Sequence, residues 1–466
     1  MRSKGCPASA WTEAIRRNLF HLDSEVLYIL AGPIQVREAR EDTPMSIDRR
    51  DFIKFGALST VLWTVALDPA AAVPCRPAGE GSTLVQEPSA AQARPITRDE
   101  YLGRQEQARR YMHDEGIDGI LLTGGSSLHY FTGIDWGLSE RLFAMVVPAK
   151  GEPGYVTPAF EKGRALEQIK SGGDVRAWEE DQSPYQLVAG ILKDRGIVSG
   201  RIGIEETVKF AFSDGLAKAA PAAKLTSADP VTARCRRIKS AHEIELMRLA
   251  NRITLKSFEN ALKTIKEGTT DHELGAAIAA EHHRMGATGS ALVLFGAYSA
   301  SPHGTAAPQR LREGDVVLVD GGCSVQGYKS DITRTTVLGK PTSKQLEVWE
   351  IVHRAQAEAL KAARPGTPCE GVDAAARRVI TEAGFGPDYK YFTHRVGHGI
   401  GLDGHEWTYL VRGNKTKLET GMSFSDEPGI YISGEFGIRL EDVMVIGDGG
   451  AELLTGQATS LEHPFS

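Results

Sequence analysis

The stretch VVLVDGGCSVQGYKSDITRT, residues 316–335, reads as a β-hairpin that carries an aspartate on each strand. The apolar residues 316–319 predict a buried strand that delivers Asp320, and the strand that returns after the turn delivers Asp331. A single aspartate of this kind is ordinarily a turn former. Two of them on one hairpin, with further acidic and histidine-containing segments downstream, indicate a shared site.

A second stretch, HRVGHGIGLDGHE at residues 394–406, places three histidines among four glycines. Glycines permit unusual backbone angles and close approach to a site. A lone histidine is more often a core or surface residue than a ligand, but three in so short a glycine-rich segment indicate function. They are His394, His398 and His405. A fourth, His303, lies in the small-residue loop SPHG, whereas the pair His282-His283 lies on a polar helix and is interpreted as surface.

Two glutamates, Glu427 and Glu441, stand in the segment DEPGIYISGEFGIRLED at 426–442. Alternation with apolar neighbours places the side chains of Arg439 and Glu441 on one face of a strand. Four carboxylates cannot converge in a dry site without a cation, because their charges would force protons onto some of them. One imidazole with four carboxylates suits two divalent ions that share bridging carboxylates and activate water, which predicts a hydrolase. The five candidate ligands are Asp320, Asp331, His398, Glu427 and Glu441.

Composition narrows the class of protein. With 466 residues the chain is long enough for two domains and an appendage, and its hydrophobic (41%) and charged (24%) fractions are ordinary for a globular protein. A formal charge of -6 leaves no basic footprint, so nucleic acid is not an expected partner. The cysteines form no CxxC pair and are interpreted as isolated thiols rather than a disulfide framework or zinc site: Cys6, Cys75, Cys235, Cys323 and Cys369.

The segment MSIDRRDFIKFGALSTVLWTVALDPAAA, residues 45–72, has the parts of a signal peptide: paired arginines, an apolar run too short for a comfortable membrane helix, and small residues at its end. It resembles the twin-arginine export signal, whose cargo crosses the membrane folded. We expect export to the periplasm without stable membrane association afterwards; if the signal is not used, the protein stays in the cytoplasm. Met45 is the expected start, with residues 1–44 a non-native upstream extension and residues 73–97 a flexible linker.

Residues 98–236 are predicted to form an α/β domain. Helical spacing of apolar residues covers 99–116, and short apolar runs at 117–123, 143–147 and 154–157 predict strands. No catalytic cluster is apparent in this domain.

Residues 237–459 are predicted as a second domain, which opens with a long helix at 238–267. Ser240 and Glu243 form a capping box at its start, and Gly268 is expected to close it. Glycine, threonine and alanine positions after this helix recur 98 residues further on. The recurrence predicts a duplicated ααβ unit with a sheet shared between the halves.

Five phrases together resemble the creatinase/methionine aminopeptidase superfamily of metallopeptidases (M24) and, within it, the Xaa-Pro peptidase branch of prolidase and aminopeptidase P. They are RRIKSAHEIELMR (236–248), SPHG (301–304), DGGCSVQGYKSDITRT (320–335), HRVGHGIGLDGHE (394–406) and DEPGIYISGEFGIRLED (426–442). Residues 98–235 resemble the N-terminal domain of that branch. The resemblance implies an α/β (α+β) fold class, with a creatinase-like N-terminal α/β domain and a pita-bread catalytic domain of duplicated ααβ units.

The resemblance also implies a role for each candidate residue. Asp331 and Glu441 match the carboxylates that bridge both metal ions. Asp320 matches a ligand of one ion, and His398 and Glu427 match ligands of the other. Glu427 also matches the group that accepts a proton from the bridging water. The remaining matches are non-ligands that hold the substrate, stabilise the tetrahedral intermediate, move a proton to the proline nitrogen or orient the carboxylates: His303, His394, His405 and Arg439.

These roles predict a dinuclear metallopeptidase that cleaves the Xaa-Pro bond of dipeptides or peptide N-termini by attack of a hydroxide that bridges two divalent ions. Manganese is the first expectation for so oxygen-rich a ligand set, with cobalt, iron and zinc as alternatives. A homodimer is also expected from the resemblance. A different reaction on the same metals (phosphotriester hydrolysis or a lyase reaction) stays open, as does a non-catalytic binding protein of this fold.

Two further positions carry expectations of their own. Asp426 departs from the family, in which the residue before the glutamate is commonly apolar, and side-chain alternation predicts that it points away from the metals. Trp136 and Glu140–Arg141 are candidates to reach a neighbouring subunit's site, with a core or surface role as the alternative.

Overall fold

The computed structural model describes residues 87–465. The predicted upstream extension (1–44), the predicted signal peptide (45–72) and the first part of the predicted linker lie outside the described residues, as do Cys6 and Cys75. Within 87–465, no helix combines the length and the apolar character that a membrane span needs.

The last residues of the predicted linker hold a defined conformation. A single 3-10 turn covers Ala90–Gln92, and Ser89 caps it. The Ala90 N–H donates to the carbonyl of Met285 at 2.8 Å, and Arg284 forms an ion pair with Glu87 at 2.6 Å. Residues 87–97 therefore differ from the flexible linker that their composition predicts, because backbone and side-chain contacts hold them on the second domain.

The N-terminal domain begins with helix α1 (Arg98–Glu115). Its start is a capping box, in which the Thr97 hydroxyl accepts the Glu100 N–H and the Glu100 carboxylate accepts the Thr97 N–H. It ends at Gly116, whose φ of 63° is left-handed and suits glycine. The helix expected at 99–116 is thus present with nearly the same bounds.

A six-stranded sheet forms the centre of this domain. Its strands are β1 (Gly119–Thr123), β2 (Ala144–Pro148), β3 (Gly154–Pro158), β4 (Asp174–Trp178), β5 (Arg201–Ile204) and β6 (Lys224–Ser227). The order is β4-β3-β2-β1-β5-β6, with β2 antiparallel to both neighbours and the other pairs parallel. The remaining helices are α2 (Ser126–Thr132), α3 (Lys162–Gln168), α4 (Pro184–Asp194), α5 (Phe210–Ala219) and α6 (Thr232–Arg237).

Alternation along β1 explains the layers on this sheet. Ile120 and Leu122 point into a core shared with α1 and α2, whereas Leu121 points into a separate core shared with α4 and α5. The sheet is therefore covered by helices on both faces. Three cysteines of the described residues, Cys235, Cys323 and Cys369, are buried free thiols.

The second domain opens with helix α7 (Ala241–Leu262), which starts at the expected capping box of Ser240 and Glu243. The helix ends at Leu262, earlier than predicted, and Gly268 does not close it. Gly268 lies instead in the connection to the next helix, where its N–H donates to the Leu311 carbonyl at 2.8 Å. Its φ of 88° fits that turn.

The predicted repeat appears as two helix pairs. The first is α7 with α8 (Asp271–Arg284), and the second is α9 (Ser343–Ala362) with α10 (Cys369–Glu382). Gly366 repeats the contact of Gly268, since its N–H donates to the Leu418 carbonyl at the same 2.8 Å. The two halves thus share their helical geometry as well as their sequence spacing.

Strands follow each helix pair. After the first pair come β7 (Thr288–Phe295), β8 (Val316–Val325), β9 (Tyr328–Lys329) and β10 (Ile332–Val337); after the second come β11 (Gly397–Gly399), β12 (Glu406–Leu410), β13 (Ser423–Asp426), β14 (Gly429–Ile432), β15 (Phe436–Arg439), β16 (Asp442–Gly447) and β17 (Gly450–Leu453). The first set pairs antiparallel in the order β10-β8-β7, with β9 on β8. The second forms the order β12-β11-β13-β16-β17, and β14 pairs with β15. A bridge between Thr333 and Glu441 joins the two sets.

One histidine contradicts its sequence interpretation. His282 is fully buried, whereas its neighbour His283 is exposed as expected. The reason is helical spacing: Leu274 and Ile278 precede His282 by eight and four positions and are buried on the same face of α8. The sequence interpretation relied on the polar neighbours of His282 and overlooked this helical spacing.

Candidate metal centre

The predicted ligands converge where the two strand sets meet. Ligand atoms of Asp320, Asp331 and Glu441 all lie within 4.8 Å of one another, and so do those of His398, Glu427 and Glu441. The two groups share Glu441. A third group joins Asp331 and His398 to His405. All five predicted ligands are therefore brought together, although they come from segments far apart in the chain.

A tight turn delivers the two aspartates. Val325 pairs with Tyr328, so only two residues connect β8 to β9, and both have positive φ: 51° at Gln326 and 87° at Gly327. Such turns match the twist of antiparallel strands. Asp320 lies in the middle of β8, and the chain returns after the turn to bring Asp331 back beside it, as the hairpin interpretation predicts.

His398 is held in one tautomer. Its Nδ1 lies 3.1 Å from the Gly399 carbonyl oxygen, which can only accept, so Nδ1 carries the proton. Nε2 then faces Glu427 Oε1 at 3.3 Å and Asp331 Oδ2 at 3.8 Å. Burial lowers the pKa of His398, but hydrogen bonding and charge from Glu427 and Asp331 outweigh it and raise that pKa above its usual value. Nε2 is thus the available ligand atom.

Within residues 87–465, two of the carboxylates, Asp331 and Glu441, lack matching positive charge. Burial, followed by the charge of Asp320, raises the pKa of Asp331 to about 7. Burial and the neighbouring acids likewise raise the pKa of Glu441 well above its usual value. Burial alone would raise the pKa of Glu427 as well, but the hydrogen bond and charge of His398 lower it to about 2. Among the described residues, Arg439 is the arginine that pairs with this group, through Asp320. Four carboxylates, of which Glu441 is buried and the others are partly buried, form with one guanidinium and one imidazole a donor set that fits divalent cations.

Arg439 and Thr333 fix the orientation of the carboxylates. Arg439 contacts Asp320 through Nη2 and donates from Nε to Thr333 Oγ1 at 3.2 Å. The Thr333 hydroxyl in turn donates to Glu441 Oε2 at 2.7 Å. Arg439 Nη1 donates to the Tyr431 hydroxyl at 2.8 Å. Sequence reasoning missed Thr333 and Tyr431; the position of Thr333 two residues after Asp331, on the same face of a strand, was the available signal.

The three histidines that are predicted to be non-ligands differ in the availability of their ring nitrogens. In His394, Nδ1 lies 2.8 Å from the Arg395 carbonyl oxygen and Nε2 lies 2.7 Å from the Tyr431 hydroxyl, so both nitrogens have partners. His405 is exposed, and its ring stacks on that of His398 with centroids 3.7 Å apart. His303 is exposed and near enough to add to the lowering of the pKa of His394 and of His405, although burial is the larger cause for both.

Asp426 lies outside the ligand groups. It is fully buried, neither of its side-chain oxygens has a hydrogen-bond partner among the described residues, and it pairs across the sheet with Asp442. Burial, then Asp442 and Glu427, raise its pKa well above the usual value. Its separation from the ligands agrees with the alternation that predicts it to point away.

The N-terminal candidates occupy core and surface positions. Trp136 is 5% exposed and stacks on Phe143 with centroids 4.1 Å apart. Arg141 pairs with Glu180 at 2.8 Å and with Glu140 at the surface. Within this chain these residues follow the core-or-surface alternative.

Comparisons with known proteins cover the same two domains. The sequence profile of metallopeptidase family M24 matches residues 245–448, and that of the creatinase/prolidase N-terminal domain matches residues 104–238. The chain is 37% identical over 344 residues to a probable dipeptidase PepE of Mycobacterium bovis, a match that covers 72% of this chain and 90% of the relative.

Two further similarities extend this match. An Xaa-Pro dipeptidase of Pyrococcus horikoshii is 34% identical over 349 residues, which covers 74% of this chain and 94% of that relative. The crystal structure of dipeptidase PepE from Mycobacterium ulcerans superposes with a TM-score of 0.74 at 33% identity and covers 79% of this chain and 99% of that one. The similarity therefore spans nearly the whole of these proteins.

Proposed function

The chain belongs to metallopeptidase family M24, and from this membership we propose that it hydrolyses the peptide bond before proline at a centre of two divalent metal ions. The membership itself confirms the predicted family, the fold class and the class of enzyme, a metallopeptidase. The bond that is cleaved, the number of ions and the roles of individual residues are the proposal.

The observation that carries the proposal is the overlap of the ligand groups. One group of three atoms contains Asp320, Asp331 and Glu441, the other contains His398, Glu427 and Glu441, and Glu441 belongs to both. A carboxylate shared by two neighbouring groups is the arrangement expected for a bridging ligand between two cations. The relatives that are named as an Xaa-Pro dipeptidase and as dipeptidases support proline-containing peptides as substrates.

The ligand set favours manganese. Four of the five candidate ligands are carboxylates, and hard oxygen donors suit Mn²⁺, with cobalt, iron and zinc as alternatives. When bound, two divalent cations would lower the pKa of a water molecule and polarise the scissile carbonyl. The residues that would hold them are Asp320, Asp331, His398, Glu427 and Glu441.

The side chains around the ligands have separate tasks. Glu427 directs Oε1 towards His398 and places Oε2 3.8 Å from His394 Nδ1, which leaves Oε2 as the acceptor for the proton of the attacking water. We propose that His303 and His405, both exposed, contact the substrate and supply a proton to the leaving proline nitrogen. Arg439 keeps Asp320 in place and, through Thr333, Glu441.

A substrate panel tests the proposal. The full chain is stripped of metal, reloaded separately with Mn²⁺, Co²⁺, Fe²⁺ or Zn²⁺, and assayed with Gly-Pro, Gly-Ala, a longer peptide with proline second, and a phosphotriester. We expect metal-dependent turnover of the proline peptides and far slower turnover of Gly-Ala and of the phosphotriester. Faster hydrolysis of the phosphotriester would replace this proposal with the alternative reaction. A metal-loaded protein with no turnover of any substrate would favour the non-catalytic alternative.

We also propose that residues 45–72 direct export by the twin-arginine route. The support is the arginine pair, Arg49-Arg50, before a short apolar run and small residues. Fusion of residues 45–97 to a reporter that must fold before export should deliver it to the periplasm, and the change of both arginines to lysine should keep it in the cytoplasm. Export that survives this change would contradict the twin-arginine route.

We further propose a homodimer formed through the N-terminal domain. Large apolar side chains of this domain are unusually exposed: Leu138 (47%), Phe160 (67%), Leu166 (53%) and Phe210 (82%). Light scattering coupled to gel filtration should give twice the mass of the chain, and the change Phe160→Glu together with Leu166→Glu should reduce it to one. A monomeric parent protein would contradict the proposal.

A further inference from the structure

A cluster of buried charges lies outside the metal centre, under the loop that precedes β12. At its middle is Glu406, whose side chain is 4% exposed. Glu406 Oε1 accepts the N–H groups of Leu402 at 2.9 Å and Asp403 at 3.2 Å, while Oε2 accepts Lys239 Nζ at 3.0 Å. Arg236 donates to Oε1 as well and also pairs with Asp403. We call Arg236, Lys239, Asp403 and Glu406 the hinge cluster.

The hinge cluster is anchored on the N-terminal domain. Arg236 Nη1 donates to Ser127 Oγ at 3.2 Å, and the Ser127 hydroxyl donates to Glu205 Oε1 at 2.8 Å. The hydroxyl of Ser126 donates to Asp403. Both serines open helix α2, and Glu205 follows strand β5 of the N-terminal sheet. The loop of the second domain is therefore held from the first.

This loop carries His405. The pairing of β11 with β12 is irregular: His398 faces Tyr409, but the next residue, Gly399, faces Glu406. Extra residues on one strand redirect the side chains next to them. His405, immediately before Glu406, stacks on His398 with ring centroids 3.7 Å apart. The Glu406 carboxylate binds both the amides of its own loop and two cations, so these contacts constrain the loop that carries His405.

We propose that Arg236 and Lys239 are positioning residues, which hold Glu406 and thereby keep the imidazole of His405 against His398 at the metal centre. The N-terminal domain then takes part in the reaction by fixing a side chain of the second domain. The kinetic consequences rest on the proposed function, whereas the placement of His405 does not. The competing role is a cross-domain clamp that stabilises the fold and leaves His405 unaffected.

Matched variants separate these roles. Lys239→Met and Arg236→Gln each remove one cation of the hinge cluster, and Arg236→Lys keeps the charge. The control is Arg104→Gln. Arg104 is also a buried cation that joins the two domains, but it contacts Tyr328 Oη at 2.9 Å and Glu243 at 3.4 Å rather than the loop. If these cations only stabilise the fold, Lys239→Met, Arg236→Gln and Arg104→Gln should have similar effects on kcat/KM and on the position of His405.

Kinetics on the Mn²⁺-loaded full chain give the first readout. We expect Lys239→Met to lower kcat/KM for Gly-Pro by about 10- to 100-fold, the range for residues that orient groups at a metal centre. In a His405→Asn background the same change should have less than about a 3-fold effect, because residues that act through one another are not additive. Arg236→Lys should recover most of the loss of Arg236→Gln. Losses that multiply for Lys239→Met and His405→Asn would overturn the proposal.

Nuclear magnetic resonance of the histidine rings gives a readout independent of turnover. The His405 ring signal, identified by its absence in His405→Asn, should shift in Lys239→Met and Arg236→Gln and stay in place in Arg104→Gln. If Lys239→Met does not fold, Asp403→Asn, whose carboxylate is 42% exposed, weakens the same cluster more gently and should shift the signal in the same way. An unmoved signal in every hinge variant would overturn the proposal. A shifted signal in a protein without Xaa-Pro turnover would uphold the positioning and overturn only the proposed substrate.

Discussion

Two buried charge clusters of this protein, the hinge cluster and the metal centre, have opposite balances of charge. In the hinge cluster two cations face two carboxylates; burial alone would raise the pKa of Glu406, but Lys239 and Arg236 lower it to about 2. In the metal centre four carboxylates face one arginine, and burial with the charge of Asp320 raises the pKa of Asp331 to about 7. The first cluster neutralises itself, whereas the second needs cations from solution.

The difference separates structural from functional acids. A buried acid with its own cations belongs to the framework, and breaking such a pair leaves an uncompensated charge. A buried acid among other acids is held by the fold against its own electrostatic preference, as is typical of sites that bind or react. Charge balance, rather than burial alone, therefore distinguishes these two clusters. Asp426, which among the described residues is an unpaired buried acid outside the ligand groups, shows that a raised pKa does not by itself identify a ligand.

The largest expected effect is a loss of activity on removal of a charge from the metal centre. Asp331→Asn should lower kcat/KM for Gly-Pro by about 1,000-fold or more, because metal activation of water supplies several kcal/mol and each 1.4 kcal/mol is tenfold. The melting temperature of the metal-free variant should not fall, since one of several crowded carboxylates is removed. Asp426→Asn is the control, a buried acid of the second strand set that lies outside the ligand groups and should keep activity within about 3-fold. Full activity of Asp331→Asn would refute the ligand assignment.

In the hinge cluster, removal of a carboxylate charge is expected to destabilise the fold. Glu406→Gln should lower the free energy of unfolding by about 3 kcal/mol, because two buried cations lose their partner. Glu452→Gln, which breaks the exposed pair with Arg248, should cost less than about 1 kcal/mol. Urea unfolding of the metal-free proteins measures both. If Glu406→Gln were as stable as the parent, the hinge cluster would not be a self-neutralising part of the framework.

A smaller effect, on metal affinity, is expected from a side chain that supports a candidate ligand. Thr333→Val removes the hydroxyl that donates to Glu441 and accepts from Arg439, without a change in charge. We expect about a 10- to 100-fold weaker affinity for Mn²⁺, measured by titration, as for other partners of metal ligands. The neighbouring Thr335→Val serves as the control, since the Thr335 hydroxyl donates to the Arg439 carbonyl rather than to a ligand. Equal losses in the two variants would remove the special role of Thr333.

The smallest effect concerns a buried imidazole that has no charged partner in the described part of the chain, and it appears in the pH dependence of stability. Burial lowers the pKa of His282 from 6.5 to about 4. The pKa of His398, which has carboxylate partners, is instead raised above its usual value. Between pH 6.5 and pH 4, His282 binds a proton in the unfolded protein but not in the folded one. The stability that neutral His282 contributes is therefore present above pH 6.5 and is lost as the pH falls towards 4. Between pH 8 and pH 5 the loss is about 2 kcal/mol. His282→Phe should flatten this slope in urea unfolding, whereas the exposed His283→Gln should keep it. An unchanged slope in His282→Phe would contradict the assignment.

The sequence predicted what short segments encode. Each candidate ligand lies in a short segment whose strand, turn or glycine pattern can be recognised by itself, as in the hairpin of Asp320 and Asp331. The capping box at Ser240 and the 98-residue repeat are local in the same sense. The end of helix α7 was placed too late because the connection to α8 takes its conformation from the contact of Gly268 with Leu311, which no local pattern reports.

The features that were missed depend on distant contacts. Arg236 and Glu406 are separated by 170 positions, and Thr333 and Glu441 by 108. No periodicity or spacing links such pairs, so the hinge cluster and the support of Glu441 emerge only from the fold. His282 is an intermediate case, because its spacing from Leu274 and Ile278 was present in the sequence but was outweighed by the polarity of its neighbours.

In the proposed function, acidic side chains from two strand sets hold a pair of cations around Glu441. Calorimetric titration of the metal-stripped full chain with Mn²⁺ tests it most directly, with Glu441→Gln as the variant and Glu452→Gln as the control. We expect two ions per chain for the parent and the control, and weakened binding of both ions in Glu441→Gln. A parent protein that binds no Mn²⁺, or a Glu441→Gln protein that binds two ions as tightly as the parent, would contradict it.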